Sequence, residues 1–163
     1  MTITHSELLK MVSYNPDTGE FTWLIKPRNR ECSPIAGTID PYGYRKICLK
    51  QKIYRAHRLA WFYMHMAWPE GAIDHINGKR DDNRIGNLRI ANHSQNQANS
   101  KVRANNKTGF KGIYLHKLSG LYMARVTVNR KSILVGYYKD PQEAHAAYIE
   151  AAKKYFGDFA RSK

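Results

Sequence analysis

With 163 residues, the chain is long enough for one ordinary domain or two small ones. Its 27 Lys and Arg against 13 Asp and Glu give a formal net charge of +14, which favours a polyanionic partner, nucleic acid before an anionic membrane surface. An apolar share of 42% excludes a disordered basic tail, and no run reaches the roughly 18 apolar residues that a membrane span needs.

The first hundred residues alternate short apolar stretches with turn signals. The opening residues lack the basic and apolar segments of a signal sequence, so we expect an intracellular protein. Asn-Pro-Asp-Thr-Gly at 15–19 is a dense turn signal, and a Pro- and Arg-rich loop precedes residue 42. The predicted elements are a helix at 6–12, a strand at 20–25, two strands at 42–49 and 53–55, and an aromatic-rich helix at 56–66 that Pro69 and Gly71 end.

The residues suited to chemistry begin with Asp74 and His75, which end a predicted strand ahead of a glycine turn. Neighbours on a strand point to opposite faces, so these two side chains need not serve one ligand set. One can hold a metal ion while the other, a neutral imidazole near pH 7, takes a proton from water. Asp74 and the amide oxygen of Asn96 together suit Mg²⁺ or Mn²⁺, with water and substrate phosphate completing the coordination.

Four stretches carry a resemblance to a known family. They are, in chain order, His57-Arg58, Asp-His-Ile-Asn-Gly at 74–78, Asp-Asn-Arg-Ile-Gly-Asn-Leu-Arg at 82–89, and Asn96. They resemble the HNH endonucleases, and are most similar to phage-borne homing endonucleases, which cut DNA through a ββα-metal motif. The resemblance implies that His75 is the general base and that Asn87 orients it through backbone hydrogen bonds. It further implies that Asp74 and Asn96 bind one Mg²⁺ or Mn²⁺ ion per active site.

Several roles remain open between two readings. His93 competes with Asn96 for the third position of the motif. His57 is either a phosphate contact or a buried or capping histidine, and Arg84 and Arg89 either bind phosphate or serve the fold. The two cysteines, Cys32 and Cys48, exclude a disulfide framework and a four-cysteine zinc site. Because no CxxC pairs flank the motif, we expect no structural zinc.

From residue 108 the pattern predicts a three-stranded sheet packed on one helix. The middle strand alternates Ala124 and Val126 on one face with Arg125 and Thr127 on the other. The predicted strands lie at 110–117, 122–128 and 131–138, and a helix follows from Asp140-Pro141 to Gly157. A basic and polar sheet face can enter the major groove of DNA. The residues expected on that face as DNA contacts are Lys111, Arg125, Thr127, Arg130 and Lys131.

A second resemblance covers residues 106–163. Its motifs are Gly-Phe-Lys-Gly-Ile at 109–113, Gly-Tyr-Tyr at 136–138 and Glu-Ala-His-Ala-Ala-Tyr at 143–148. They resemble the Apetala/ethylene-response-factor DNA-binding domain, which implies that the sheet binds DNA. The base-contacting Arg and Trp positions of that family are only partly kept, so its target sequence is not implied. The alternative is a small protein-interaction module.

The positive charge is concentrated toward the end of the chain. Residues 1–100 carry a net charge of +5, with 14 Lys and Arg against 9 Asp and Glu, and residues 101–163 carry +9, with 13 against 4. The predicted organisation is an N-terminal sheet and HNH nuclease domain at 1–99, a basic linker at 100–107 and a DNA-binding domain at 108–163. The linker either follows a phosphate backbone or is a solvated connector.

Together these features predict an α+β protein: a small N-terminal sheet with a ββα-metal nuclease unit, then a three-stranded antiparallel sheet packed on one helix. We expect a site-specific, homing-type endonuclease in the host cytoplasm. Its expected partner is double-stranded DNA, and we expect no association with a membrane. A monomer with one active site nicks DNA, whereas a dimer can break both strands. The alternative from another class is a non-catalytic, sequence-specific DNA-binding regulator with a relic HNH fold. An RNA-directed nuclease is a weaker third reading, because no stacked-aromatic signature of single-strand recognition is present.

Overall fold

A computed structural model of the chain describes residues 2–25, 33–102 and 105–161. The chain divides into two compact units, which we call the N-terminal unit (through Ile90) and the C-terminal unit (from Ala91). The composition is mixed α/β, with several small antiparallel sheets and, in the described ranges, four α-helices. The division falls earlier in the chain than the predicted domain boundary at residue 99.

The N-terminal unit consists of short strands around two helices. Its elements are α1 (His5–Met11), β1 (Val12–Tyr14), β2 (Phe21–Trp23), β3 (Thr38–Ile39), β4 (Arg45–Leu49), β5 (Lys52–Arg55), α2 (Ala56–His65), β6 (Ala72–His75) and β7 (Leu88–Ala91). α1 begins at a reciprocal cap: the Thr4 hydroxyl accepts from the Glu7 amide at 3.3 Å, and the Glu7 carboxylate accepts from the Thr4 amide at 2.9 Å. β1 and β2 pair antiparallel, and β4 is the central strand between β3 and β5.

One apolar core fills the N-terminal unit. Its largest fully buried side chains are Phe21, Leu8, Ile47, Leu49, Leu59 and Val12. α2 contributes Leu59 and Phe62, and the Phe62 ring stacks on Trp68 with the ring centroids 4.4 Å apart. Close-packed aromatic and aliphatic side chains of this kind hold α2 at a fixed position in the unit.

β6 and β7 form a two-stranded sheet, and the chain between them carries most of the motif residues. Just after β6, the Ile76 amide donates to the Asn87 carbonyl at 2.9 Å. The connection ends in a single 3₁₀ turn at Ile85–Asn87. β7 leads directly to Asn92, which caps the next helix. The order of elements through the motif is therefore strand, loop, strand, helix.

The C-terminal unit contains a short helix and a three-stranded sheet with a long helix. Its elements are α3 (His93–Asn99), β8 (Ile113–His116), β9 (Leu121–Val128), β10 (Lys131–Tyr138) and α4 (Pro141–Phe156). β9 is central and pairs antiparallel with both neighbours. A separate core forms between the sheet and α4 from Ile113, Ala124, Val126, Ala144 and Tyr148. The Asp140 carboxylate caps α4 by accepting from the amides of Gln142 and Glu143, each at 3.0 Å.

Some predicted elements differ in length from those observed. The predicted strand at 42–49 begins only at Arg45, because the Asp40 carboxylate accepts from the amides of Tyr42 and Tyr44 at 2.9 and 3.0 Å and fixes a turn there. The predicted strand at 20–25 is shortened to β2. Residues 26–32 of the Pro- and Arg-rich loop, Cys32 among them, and residues 103–104 of the predicted linker lie outside the described residues. In the described part of the chain, no helix is long and apolar enough to cross a bilayer.

Candidate active site

β6 brings two ionisable side chains, Asp74 and His75, into the interior of the N-terminal unit. They are only 4% and 5% exposed. Alternation along the strand sends them to opposite faces, so each meets a different set of neighbours. Polar groups at this depth need hydrogen-bond partners, because burial without partners costs free energy. Those partners define the geometry of the site.

Arg89 on β7 is the ion-pair partner of Asp74. The Arg89 Nε donates to Asp74 Oδ2 at 2.9 Å, and the two side chains are 17% and 5% exposed. A hydrogen-bonded ion pair this far from water fixes the orientation of the carboxylate. The sequence allows Arg89 either a phosphate contact or a role in the fold. The contact with the Asp74 carboxylate is of the second kind.

His75 lies against Asn83, a residue to which the sequence analysis assigns no role. His75 Nε2 and Asn83 Oδ1 are 3.5 Å apart, and Asn83 is 1% exposed. The Asn83 Nδ2 donates to the Asp81 carbonyl at 2.9 Å, which turns the amide oxygen toward the imidazole. Because an amide oxygen can only accept, a hydrogen bond between these two atoms requires the ring proton on Nε2.

The surroundings of His75 also set its charge. Burial lowers the pKa of His75, while the hydrogen bond to Asn83 and the carboxylates of Asp74, Asp82 and Asp81 oppose that shift. The imidazole is therefore neutral near pH 7. A neutral imidazole with a defined tautomer is the form that a general base requires.

Asn87 ties the loop between β6 and β7 together. It is 7% exposed, and its Oδ1 accepts from the Asn77 amide at 3.0 Å. Its Nδ2 donates to the Asp82 carbonyl at 2.8 Å and to Asn77 Oδ1 at 3.2 Å. With the bond from the Ile76 amide to its own carbonyl, Asn87 links both ends of the loop that follows His75. These contacts suit the orienting role implied by the resemblance.

His57 on α2 packs edge-on against His75, with the ring centroids 5.1 Å apart and an interplanar angle of 86°. Tyr44 lies beside both rings, at 5.4 Å from His57 and 6.0 Å from His75. His57 is 8% exposed, and its Nδ1 has no hydrogen-bond partner within the described ranges. Burial, with the neighbouring His75, lowers the pKa of His57 to about 3. This placement favours the buried role for His57 over a phosphate contact.

A turn at residues 15–19 supports the loop that holds Asn83. The Tyr14 hydroxyl donates to the Asn83 carbonyl at 2.6 Å, and the Ile85 amide donates to the Pro16 carbonyl at 3.2 Å. Gly19 has a φ of +76°, and a Cβ there would lie 2.6 Å from the Asn83 carbonyl carbon. The sequence predicts the turn, but no signal in it shows that the turn packs against the motif loop.

Comparison with known proteins assigns this part of the chain to a family. Residues 54–98 match the model of a family described as HNH endonuclease. These residues form an HNH endonuclease domain. The match suggests nuclease activity and implies DNA as the substrate. HNH nucleases typically use a divalent metal ion. No curated protein and no solved structure matches the chain.

The last helix of the HNH domain, α3, carries the two candidates for the third motif position. His93 and Asn96 are both exposed on this helix, which belongs to the C-terminal unit. Asn92 caps it by accepting from the Gln95 amide at 2.9 Å, while Gln95 Oε1 accepts from the Asn92 amide at 2.8 Å. Asp74 belongs to the N-terminal unit. That Asp74 and Asn96 bind one ion together stays a prediction, as does the preference for Asn96 over His93.

The donor atoms available to the HNH domain suit a hard cation. A carboxylate oxygen from Asp74 and an amide oxygen from Asn96 are ligands that Mg²⁺ and Mn²⁺ accept, with water and substrate phosphate in the other positions. In the part of the chain that the structure describes, no group of three or more His, Cys, Asp or Glu could hold a metal ion. The proposed site has only two protein ligands, one of them an Asn, so that observation does not bear on it. The identity of the ion stays a prediction.

Arg84, a predicted phosphate contact, is bound to a carboxylate of the motif loop. Its Nε donates to Asp82 Oδ1 at 2.8 Å and its Nη2 to Asp82 Oδ2 at 2.6 Å. This two-point contact, with a bond from Asn77 Nδ2, lowers the pKa of Asp82 to about 2. The Arg84 side chain is still 52% exposed, so it can reach solvent or phosphate on one side.

The predicted DNA contacts of the C-terminal unit fall into two groups. The exposed group consists of Arg125, Thr127, Arg130 and Lys131. Lys111 is half-buried, and its ammonium donates to carbonyl groups at the end of α3. A DNA contact by Lys111 stays a prediction. In the structure its ammonium group is hydrogen-bonded to these backbone carbonyls.

Proposed function

We propose that the protein is a divalent-metal-dependent DNA endonuclease in which His75 is the general base. The environment of His75 carries this proposal: a buried imidazole that is neutral at pH 7, within the segment that matches the HNH family. With the ring proton on Nε2, as a hydrogen bond to the Asn83 oxygen requires, Nδ1 would be the nitrogen that accepts a proton from water.

The proposed reaction is hydrolysis of a phosphodiester bond. His75 Nδ1 removes a proton from a water molecule as that water attacks the scissile phosphorus. The bond from phosphorus to the 3′ oxygen breaks and the leaving oxygen takes a proton from solvent water, which gives 5′-phosphate and 3′-hydroxyl ends. Asp74 and Asn96 are the residues proposed to hold a Mg²⁺ or Mn²⁺ ion, which would neutralise charge at the leaving 3′ oxygen. Arg84 and Arg89 are proposed to add positive charge beside the phosphate.

Cleavage of supercoiled plasmid and of phage genomic DNA tests this proposal. We expect cleavage in Mg²⁺ or Mn²⁺ and none in EDTA. His75→Ala should lower the cleavage rate roughly 10²- to 10⁴-fold with little change in DNA affinity, because only the proton acceptor is removed. His65→Ala, at the exposed end of α2, is the matched control and should cleave like the wild type.

The other outcomes have definite meanings. An equal loss of DNA affinity in His75→Ala would make His75 a structural residue rather than the base. DNA that is bound but never cut with either metal would favour the non-catalytic regulator. Relaxed circles would show the nicking reaction proposed for a monomer, whereas linear product would require paired active sites.

We also propose that the C-terminal sheet reads the DNA target. Arg125 and Thr127 are exposed on β9, and Arg130 and Lys131 are exposed at the adjoining turn. Phosphate contacts position a protein on DNA and base contacts specify the sequence, and this face offers side chains for both. The homing-type activity is proposed on the resemblance alone. Its test is the selection of cleaved sites from random DNA: a defined consensus supports it, and cleavage without preference contradicts it.

A further inference from the structure

The short helix α3 carries the proposed metal ligand Asn96, so its position matters for the proposed reaction. It has only seven residues, and isolated helices of this length are not stable in water. Its side chains divide by exposure: Ser94, Ala98 and Asn99 are buried, while His93 and Asn96 are exposed. The buried face shows that α3 depends on packing within the C-terminal unit.

Lys111 holds the C-terminal end of α3. Its Nζ donates to the carbonyls of Gln97 at 3.1 Å, Ser100 at 2.7 Å and Ala98. The last carbonyls of a helix lack partners within it and carry partial negative charge, so a cation there is stabilising. Three acceptors match the three hydrogens of an ammonium group. The Arg161 amide adds a fourth contact, to the Ala98 carbonyl at 3.2 Å.

The charge of Lys111 is maintained at neutral pH. Burial, with a smaller effect of the Arg161 guanidinium, lowers the pKa of Lys111 to about 8. The group is therefore still an ammonium at pH 7 and can donate all three hydrogen bonds.

The turn between β9 and β10 holds the other end of α3. The Asn129 amide donates to Ser94 Oγ at 2.9 Å, and Ser94 Oγ donates to Asn129 Oδ1 at 3.4 Å. Asn129 and Arg130 have φ values of +48° and +68°, which fix a tight hairpin turn. The same turn carries Arg130 and Lys131, two of the proposed DNA contacts. Both ends of α3 are thus bonded to the sheet region of the C-terminal unit.

We propose that Lys111 is a positioning residue for the nuclease, because it fixes the helix that presents Asn96. This inference rests on the proposed function. It gives the C-terminal unit a role in positioning Asn96 in addition to its proposed role in DNA binding. The C-terminal unit would then hold a residue proposed to bind the metal ion as well as residues proposed to contact DNA. Removal of the sheet should therefore abolish cleavage at every sequence, rather than only weaken the preference for a target.

The first experiment compares three lysine substitutions in the full chain. Lys111→Met removes the donor to α3, Lys131→Met removes a proposed DNA contact, and Lys153→Met changes an exposed lysine on α4 that we assign no role. Hydrogen exchange reports directly on α3. We expect exchange at Asn96 to Ser100 to become roughly tenfold faster in Lys111→Met, the effect of losing bonds to a charged group, and to stay unchanged in the other two.

The second experiment measures cleavage against Mg²⁺ concentration and DNA affinity in EDTA. Lys111→Met should need a several-fold higher Mg²⁺ concentration, or cleave more slowly at saturation, with DNA affinity within about twofold of the wild type. Lys131→Met should show the opposite pattern, weaker DNA binding with normal Mg²⁺ dependence. Lys111→Arg keeps a donor group and should restore part of the lost activity.

Three results would overturn the inference. They are unchanged exchange in α3 after Lys111→Met, faster exchange with normal cleavage, and weaker DNA binding like that of Lys131→Met. If Lys111→Met does not fold, Ser94→Ala removes the contact at the other end of α3 and is expected to give the same pattern. If the wild type cuts DNA with no metal ion, the proposed function fails, and hydrogen exchange still decides whether Lys111 holds α3.

Discussion

At the scale of single residues, the environment of His75, the proposed general base, depends on side chains outside the HNH motif letters. Asn83 presents an oxygen to His75 because its own amide group is bound to the Asp81 carbonyl. His57 and Tyr44 pack their rings against the imidazole, and burial lowers the pKa of His75. Residues beyond the motif letters therefore contribute both the hydrogen-bond partner and the burial of the proposed base.

Replacement of Asn83 should show whether this residue orients the His75 ring or only stabilises the fold. In Asn83→Ala, His75 Nε2 loses its acceptor and the tautomer is no longer fixed, so we expect cleavage to fall roughly 10- to 100-fold. DNA affinity should remain within about twofold. Single-turnover cleavage and fluorescence anisotropy with labelled DNA measure the two quantities.

Asn83→Asp is the matched variant, because it keeps an oxygen acceptor beside His75 and adds a negative charge. That charge should raise the pKa of His75, so the fall in rate on the acid side should move to higher pH. If both variants lost activity equally with an unchanged pH profile, Asn83 would serve only the fold.

His57 makes the stability of the protein depend on pH. In the unfolded chain His57 has its ordinary pKa of 6.5, whereas burial lowers it to about 3 in the folded state. Between these values the unfolded chain binds more protons. The free energy of unfolding is therefore highest above pH 6.5, where His57 is neutral in both states. It decreases as the pH falls toward 3, by at most about 1.4 kcal/mol per pH unit.

Urea unfolding at several pH values checks this expectation. The free energy of unfolding should decrease from about pH 6.5 downward, and His57→Phe should reduce that slope because it removes the titrating group. An identical slope in His57→Phe would assign the effect to other groups, such as His75, whose pKa is lowered in the same direction.

At the scale of elements, the motif loop keeps its shape because two separate segments support it. Asn87 bonds the loop from within, while Tyr14 at the end of β1 and Pro16 in the turn at 15–19 contact it from outside. Gly19 allows the close approach because it has no Cβ and tolerates a positive φ. A turn far away in sequence thus supports the loop that lies against His75, the proposed general base.

Gly19→Ala should therefore destabilise the protein more than an alanine in an ordinary turn. Gly120 is the matched control, because its φ of +69° is similar and a Cβ added there would meet no atom within 4 Å. We expect about 1 kcal/mol for Gly120→Ala from backbone strain, and about 3 kcal/mol or more for Gly19→Ala, where the Asn83 backbone must also move. Equal losses in thermal unfolding would show that the contact with the loop is unimportant.

At the scale of the whole molecule, the net charge of +14 predicts strongly salt-dependent DNA binding. Each phosphate contact contributes about 0.9 to the slope of log affinity against log salt. Arg130→Ala should reduce the slope by about that amount and weaken binding to all sequences alike, if Arg130 contacts phosphate. Lys153→Met is the control, and equal slopes for the wild type and Arg130→Ala would remove Arg130 from the interface.

The sequence predicts local features of this protein better than long-range ones. The turn at 15–19, the strand that ends in Asp74-His75 and the Asp140-Pro141 helix start follow from residue types at short spacing, and the structure has each of them. The HNH domain itself was predictable from ordered motif residues. The contacts of Asn83, His57 and Lys111 were not, because each joins segments that only the folded backbone brings together.

The contacts at the two ends of α3 also bear on where this chain could be joined to a foreign module. A chimera that takes a foreign DNA-binding module after residue 100 would keep α3 but lose Lys111 and the Asn129 turn that hold it. A junction before Asn92 would transfer the helix together with its supports. If Asn96 holds the metal ion as proposed, the workable junction therefore lies inside the HNH domain, before Asn92, and the incoming module must carry its own counterpart of Asn96.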